Sequence, residues 1–383
     1  MTLMARATSF SSREAKAFQE KARSWVREAV VGIDRIDDSK TDAEIMAARV
    51  AWDKKLYEGG FSCLSWPAEY GGGGLGPIED FLLAEEAWNA GAPEGLAGRV
   101  GRNLVGPCIM AYGTPEQKDR FLPSIVSVDH LWCQGFSEPD AGSDLASLRT
   151  SAKRDGDAFV INGQKIWSSF SALADWCLLL CRTGDPESRH HNLTMLLVDL
   201  NQEGIEVRPI RQISGSSEFS EIFFDNAVAA ADCVLGEEGR GWQVAINTLS
   251  AERGSSTAIF LGSTEQEFKL LETCDNCRRG LGHGADERLA EFRSRLHATR
   301  WQSIRSIEQM ASGREANRSY SVLKIAMSEL SQELSQAGVE SACDTHFAHW
   351  RRQYMTTRQQ SIGAGTNEIN RTVLAERVLN VPR

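Results

Sequence analysis

Trp132-Cys-Gln-Gly-Phe-Ser137-Glu-Pro-Asp-Ala-Gly142-Ser143-Asp144, followed by Asn162-Gly163-Gln-Lys165-Ile-Trp167-Ser168-Ser169, is the stretch on which the reading of this chain turns. Short hydroxyl side chains and glycines alternate there with single aromatics. A flat polar heterocycle needs that mixture, an apolar face to stack on and donors along its edge. The turn from Asp140 to Asp144 also lets backbone N–H groups approach a phosphate. On composition alone the same residues describe an ordinary surface loop, and Trp167 reads equally well as a barrel-core aromatic.

Outward from this stretch the pattern is strand-like. Asp155-Gly156 and Asn162-Gly163 are both short-hairpin signals, flanked by candidate strands at 147–153, 158–161 and 164–169. Further candidates lie at 176–181, 193–200, 205–213 and 221–224. Short strands in such regular succession, with no helices between them, predict a sandwich or barrel. On the N-terminal side, Ser11-Ser-Arg-Glu14 has the form of a capping box. Behind it Phe18, Ala22, Trp25, Val26 and Ala29 share one helical face. Helical patterns follow at 41–58, 77–90 and 115–122, and the Gly71–Gly76 run between them reads as a loop. After Gly239 long helical patterns return, at 242–253, 265–278, 286–310, 316–338 and 366–378, which suggests a bundle. The expectation is an α+β chain with helical, β and helical domains at 1–125, 126–238 and 239–383.

The 383 residues exceed what one core usually supports. A net charge of -10 argues against a nucleic-acid partner, because phosphate recognition needs a basic surface. No run reaches the roughly 18 apolar residues of a membrane span. The N-terminus has no apolar h-region, and Glu14 follows soon, so neither a signal nor a transit peptide is indicated and a cytoplasmic location is expected. The nine cysteines are scattered, several inside apolar runs such as Trp176–Cys181, which suits reduced, buried thiols. Cys274-Asp-Asn-Cys277 has metal or redox spacing, but no second Cys pair accompanies it, and no metal site is assigned.

The two opening blocks resemble the flavin-binding segments of the acyl-CoA dehydrogenase family in order and spacing. Pro67-Ala-Glu-Tyr-Gly-Gly, Tyr112-Gly-Thr-Pro-Glu-Gln-Lys118 and Ile362-Gly-Ala-Gly-Thr366-Asn-Glu-Ile-Asn-Arg371 resemble other motifs of that family, in the same order along the chain. The resemblance implies a helical N-terminal domain, a central β-barrel, a C-terminal four-helix bundle and an FAD cofactor. It further implies a homodimer or homotetramer, acyl-CoA or acyl-carrier-protein substrates, and an electron-transfer flavoprotein as electron acceptor. Carried over by position, Gln134, Phe136, Ser137, Gly142, Ser143, Trp167, Ser169, Thr366 and Glu368 would hold the cofactor. Ser143, Arg253 and Ala364 would meet the substrate, Ala364 through its backbone N–H, which could polarise a thioester carbonyl.

The family reaction removes a proton from Cα and a hydride from Cβ of an acyl thioester, so a carboxylate base is required. Many members carry it in a C-terminal Tyr-Glu-Gly-Thr motif; here Ala364 stands at that glutamate's place. A second family position, used by the isovaleryl-CoA and long-chain branches, corresponds to Glu252 in Asn247-Thr-Leu-Ser-Ala-Glu252-Arg253-Gly254. A Glu-Arg pair on a helix is also commonly a mere ion pair. That would leave a non-catalytic subunit of a hetero-oligomer, or a flavin monooxygenase on the same fold. The family's Arg-x-x-Phe-Gly segment is replaced by Cys277-Arg278-Arg279-Gly280, which leaves Arg278 or Arg279 as substitutes.

Overall fold

At the Asp155-Gly156 signal a two-residue loop, Gly156-Asp157, joins β2 (Ser151–Asp155) to β3 (Ala158–Ser169), with Asp155 opposite Ala158 and Gly156 at φ +58°. Asn162-Gly163 carries the same local signal and does not turn. Strand β3 runs straight through it, paired along its length with β7 (Phe219–Ala230). A bulge takes the turn's place, the register passing from Ile161↔Ala227 to Gly163↔Phe224. Asn226, at φ +54°, donates its N–H to Asn162 Oδ1 at 3.0 Å. Gly163 is required because a Cβ there would lie 2.7 Å from Thr150 Cα. Before β2, residues 145–147 form a short 3-10 turn rather than the expected start of a strand.

This computed structural model describes residues 10–34, 36, 40–95, 98–185, 188–313 and 317–382; for 250–260 and 317–319 it describes the backbone alone. The chain forms two compact units.

One unit comprises residues 42–74 and 95–252. Its seven-stranded sheet adds β1 (Trp132–Gly135), β4 (Trp176–Arg182), β5 (Leu193–Asp199) and β6 (Ile205–Ile210), in the order β1-β4-β2-β3-β7-β6 with β5 on β4. The sheet has β1 and β6 at its two ends, so the barrel expected from strand spacing is an open half barrel. Strand β4 is buried along its whole length, which explains its unbroken apolar run. Phe159, Ile161, Ile222 and Phe224 pack with Cys133, Cys177 and Cys181 on one side of the sheet. On the other, Phe121 of α5 (Pro115–Ser127) meets the stacked pair Trp132 and Trp176 edge-on, with ring centroids 5.5 and 4.9 Å away. Thr114 and Gln117 form a capping box at the start of α5. Gln117 Nε2 also donates to the carbonyls of Asp232 (2.6 Å) and Val234 (2.8 Å), fastening the helix to the chain beyond β7. The helices α2 (Asp42–Glu58) and α4 (Gly106–Tyr112) belong to the same unit.

The other unit, residues 1–41, 75–94 and 253–383, is helical. Helix α1 (Arg13–Ala29) starts one residue later than the expected box, because Ser12 rather than Ser11 accepts the Ala15 N–H. It packs on α3 (Pro77–Asn89), where buried Glu86 accepts from Arg23 Nε and Nη2 and from the Gln19 amide, each at 2.9 Å. The helix α6 (Gly241–Thr273) is continuous, its residues 241–252 counted with the first unit and the rest with this one, and α7 (Asp275–Gly280), α8 (Ala285–Ala311), α9 (Asn317–Ser341), α10 (Phe347–Thr357) and α11 (Asn367–Arg377) follow. Their core gathers Leu271, Phe292, Leu330, Leu334 and Trp350, the last seated against Gly338.

Candidate active site

The two motif blocks are stapled together by groups that sequence reading treated only as spacing. Lys165 on β3 points into the sheet's interior and is 0% exposed. Its ammonium donates to Glu138 Oε1 at 2.8 Å and to the Phe136 carbonyl at 2.9 Å. Glu138, 8% exposed, also accepts the backbone N–H of Arg149 (2.7 Å) and Thr150 (2.8 Å). Burial pushes the Glu138 carboxyl up, but the Lys165 charge and these hydrogen bonds together hold it below the ordinary carboxylate value. Burial also draws Lys165 below its ordinary value, against the pull of Glu138. Gly135 leaves the room this needs, since a Cβ there would meet Cys177 Sγ at 2.8 Å and the Lys165 stem at 3.5 Å. The one sequence signal for this pair is a lysine at a strand position whose alternation with Phe159 and Ile161 faces inward.

Just beyond Lys165 the ladder slips a second time. Register passes from Lys165↔Ile222 to Ser168↔Ser220, so Ile166 and Trp167 oppose the single residue Glu221. Trp167 takes a left-handed backbone, φ +62°, and its side chain is 56% exposed, near Phe219 in edge contact at 6.3 Å. The barrel-core reading of Trp167 is therefore overturned: strict alternation would have buried it, and the bulge turns it out. The Ile166 N–H donates to the Ser137 carbonyl at 2.9 Å, which brings the first block to within one residue of the indole. Gln134, Ser137 and Ser169 are half-buried, and their side chains make no hydrogen bond among the described residues. Phe136 is buried. Gly142 and Ser143 lie exposed directly after the turn that the reciprocal Glu138–Ala141 backbone bonds close, with open space where a Gly142 Cβ would be.

In the helical unit, Thr366 is the N-cap of α11, its hydroxyl accepting the Ile369 N–H at 3.1 Å. Glu368 is exposed in the first turn. Its carboxyl is held below the usual value by the backbone N–H at the helix start and by the Thr366 hydroxyl. Ala364 is half-buried at φ +54°. Arg278 pairs with Asp286 at 2.6 Å, and Arg279 with the Asn276 amide. The backbone of α6 carries Glu252 and Arg253, whose side chains lie outside the described residues.

Family models match along the chain: acyl-CoA dehydrogenase N-terminal domain over residues 12–129, middle domain over 133–227 and C-terminal domain over 239–379. The chain belongs to the acyl-CoA dehydrogenase family and is an FAD-dependent oxidoreductase of acyl thioesters, with the family's helical, half-barrel and helical domains in that order. It is similar to the acyl-CoA dehydrogenase IpdE1 of Mycobacterium tuberculosis, with 39% identity over 97% of this chain and 99% of that one. Among solved structures it is similar to a protein described as the Tcur3481-Tcur3483 steroid ACAD (TM-score 0.80, 26% identity, 96% of this chain and 98% of that one). It also resembles the ChsE4-ChsE5 complex from the same mycobacterium (TM-score 0.78, 26% identity, 97% and 98%). Among the described residues, no helix is long and apolar enough to cross a membrane.

Proposed function

We propose that this chain dehydrogenates a bulky acyl-CoA thioester to its trans-2-enoyl form, with Glu252 as the base that takes the α-proton. The observation that carries the reading is the outward indole of Trp167, on the strand that holds Ser169 and is bonded to Ser137 through the Ile166 N–H, with the side chains of Gln134, Ser137 and Ser169 making no hydrogen bond among the described residues. That set fits a flavin: one aromatic plane and several edge donors and acceptors. Gln134, Phe136, Ser137, Gly142, Ser143, Trp167, Ser169, Thr366 and Glu368 would hold FAD. FAD, when bound, supplies the hydride acceptor. The chain's own task is to orient the thioester and move one proton. Glu252 does the second, and Ser143, Arg253 and the Ala364 N–H meet the substrate. Ala364 in place of a glutamate leaves space beside Cα and Cβ, and similarity to a structure described as a steroid ACAD supports a large ring-bearing acyl group.

An anaerobic titration tests this. Ring-bearing acyl-CoAs should bleach the oxidised flavin band more readily than short linear ones, and Glu252→Gln should abolish bleaching while retaining FAD. Bleaching that persists in the Gln variant removes Glu252 from the role. Hydroxylation of substrate with oxygen consumption would point to a monooxygenase instead.

We further propose domain boundaries near residues 125 and 238, a cytoplasmic location, an electron-transfer flavoprotein as acceptor, and a homodimer or homotetramer. A second assembly is favoured by one finding: two of the similar structures are described by paired names, ChsE4-ChsE5 and Tcur3481-Tcur3483. Light scattering on the chain expressed alone, and then with a homologous chain, separates the two.

A further inference from the structure

Two short motifs far apart in sequence meet in the helical unit. Cys274 stands at the N-cap of α7 and Cys277 lies within it. Cys343 and His346 occupy the connection between α9 and α10, giving Cys-x-x-Cys and Cys-x-x-His pairs 66 to 72 residues apart. Cys274 Sγ lies 3.9 Å from Cys343 Sγ and 3.5 Å from His346 Nδ1. Cys277 Sγ lies 3.8 Å from each of the same two atoms, and Cys343 Sγ is 3.3 Å from His346 Nδ1. All four donor atoms fall within 4.8 Å of one another.

Zinc in a tetrahedron, with bonds of about 2.3 Å to sulfur and about 2.0 Å to nitrogen, sets its ligands about 3.8 Å apart for two sulfurs and about 3.5 Å apart for sulfur and nitrogen. The two sulfur–sulfur edges above, 3.9 and 3.8 Å, and the three sulfur–nitrogen edges, 3.3 to 3.8 Å, lie close to these values. They do not match a disulfide, whose sulfurs would be about 2.05 Å apart, and the cysteines are free thiols. We propose that Cys274, Cys277, Cys343 and His346 bind one zinc ion as a closed structural site. Three sulfurs and an imidazole with no oxygen ligand suit zinc and exclude magnesium, calcium and manganese. Four protein ligands leave no position for water, so the ion's role is to hold structure.

The backbone brings the two pairs together. Arg278 N–H donates to the Cys274 carbonyl and His346 N–H to the Cys343 carbonyl, both at 2.9 Å, so each pair sits in a tight turn. Gly280 allows the close approach of α7 to the end of α9, since a Cβ there would lie 2.3 Å from the Ser341 carbonyl oxygen. Zinc then pins the α6–α7 corner to the α9–α10 connection, and its binding free energy adds to the stability of the helical unit. This inference is independent of the flavin reading, because none of its ligands is a proposed flavin or substrate contact.

The test is metal analysis of the full chain purified from zinc-supplemented culture without chelators. One zinc per chain is expected, lost in Cys274→Ser/Cys343→Ser, with a fall in Tm when a strong chelator strips the wild type. In case that variant does not fold, cobalt chloride added to chelator-stripped wild-type protein gives a second readout. It should produce the thiolate charge-transfer and d–d bands of tetrahedral cobalt, abolished by prior addition of equimolar zinc chloride. Absence of those bands, zinc retained in full by the double variant, or a disulfide within the set in freshly purified protein would each overturn the proposal.

Discussion

Replacing Lys165 by Met removes one half of a buried ion pair and leaves Glu138 facing an apolar stem. Breaking such a pair costs about 3–5 kcal/mol, because the surviving charge has lost its counter-ion but not its burial. Glu138 keeps two backbone N–H donors, from Arg149 and Thr150. It can also escape by taking a proton, so a loss of about 3 kcal/mol at pH 7 is expected, at the low end of that range. The pH dependence should change sign. In the wild type the carboxyl is held below its ordinary value, so its contribution is full above the unfolded pKa and is lost as pH falls through the folded one. In Lys165→Met burial acts without the lysine and raises the carboxyl. The penalty is then full above that raised value and is relieved on acidification, so the gap between the two proteins narrows toward pH 4. Adding Glu138→Gln to Lys165→Met should restore about 2 kcal/mol, since the amide leaves no buried charge. Pulse proteolysis in urea, with cleavage mapped within residues 132–230, reads the β unit by itself. A loss under about 1 kcal/mol, or a gap that does not change with pH, would refute the reasoning.

Trp167→Ala should leave the melting temperature of the FAD-free protein almost unchanged, because the indole is mostly exposed, while weakening FAD binding by about tenfold on a stacking loss of about 1.4 kcal/mol. A titration of the stripped protein with FAD, alongside its melting curve, distinguishes this from a packing role, which would lower the melt and spare the affinity. Gly338→Ala places a Cβ 2.1 Å from the fully buried ring of Trp350, so thermal melts should show destabilisation of about 1–3 kcal/mol or more. Trp350→Leu in the same chain should recover part of it, and full stability of the single Ala variant would contradict the packing described.

Much of the fold was legible because it rests on local signals. Asp155-Gly156 and the unbroken apolar β4 each depend on neighbours a few residues away. Asn162-Gly163 shows where such signals end: the same dipeptide makes a bulge because pairing with β7 supplies more hydrogen bonds than a turn would. The first capping box slipped by one residue because two adjacent serines compete for one helix start. In the candidate site, Trp167 and the serines stood out by composition. Glu138 with Lys165 did not, since their partnership depends on the approach of β1 to β3. Cys274 and Cys277 looked solitary for a related reason: their partners are a cysteine and a histidine on the far side of two long helices.

The second bulge of β3 has a consequence for how this chain tolerates change. Phe159, Ile161 and Lys165 face the interior, and after them Ser168 does. Deleting Trp167 alone would keep every other side chain of β3 on its present face and make the ladder continuous, so a shortened protein is expected to fold at least as well while forfeiting the ring that β3 projects. Along this strand the number of residues between Lys165 and Ser168, more than their chemistry, decides whether the indole projects.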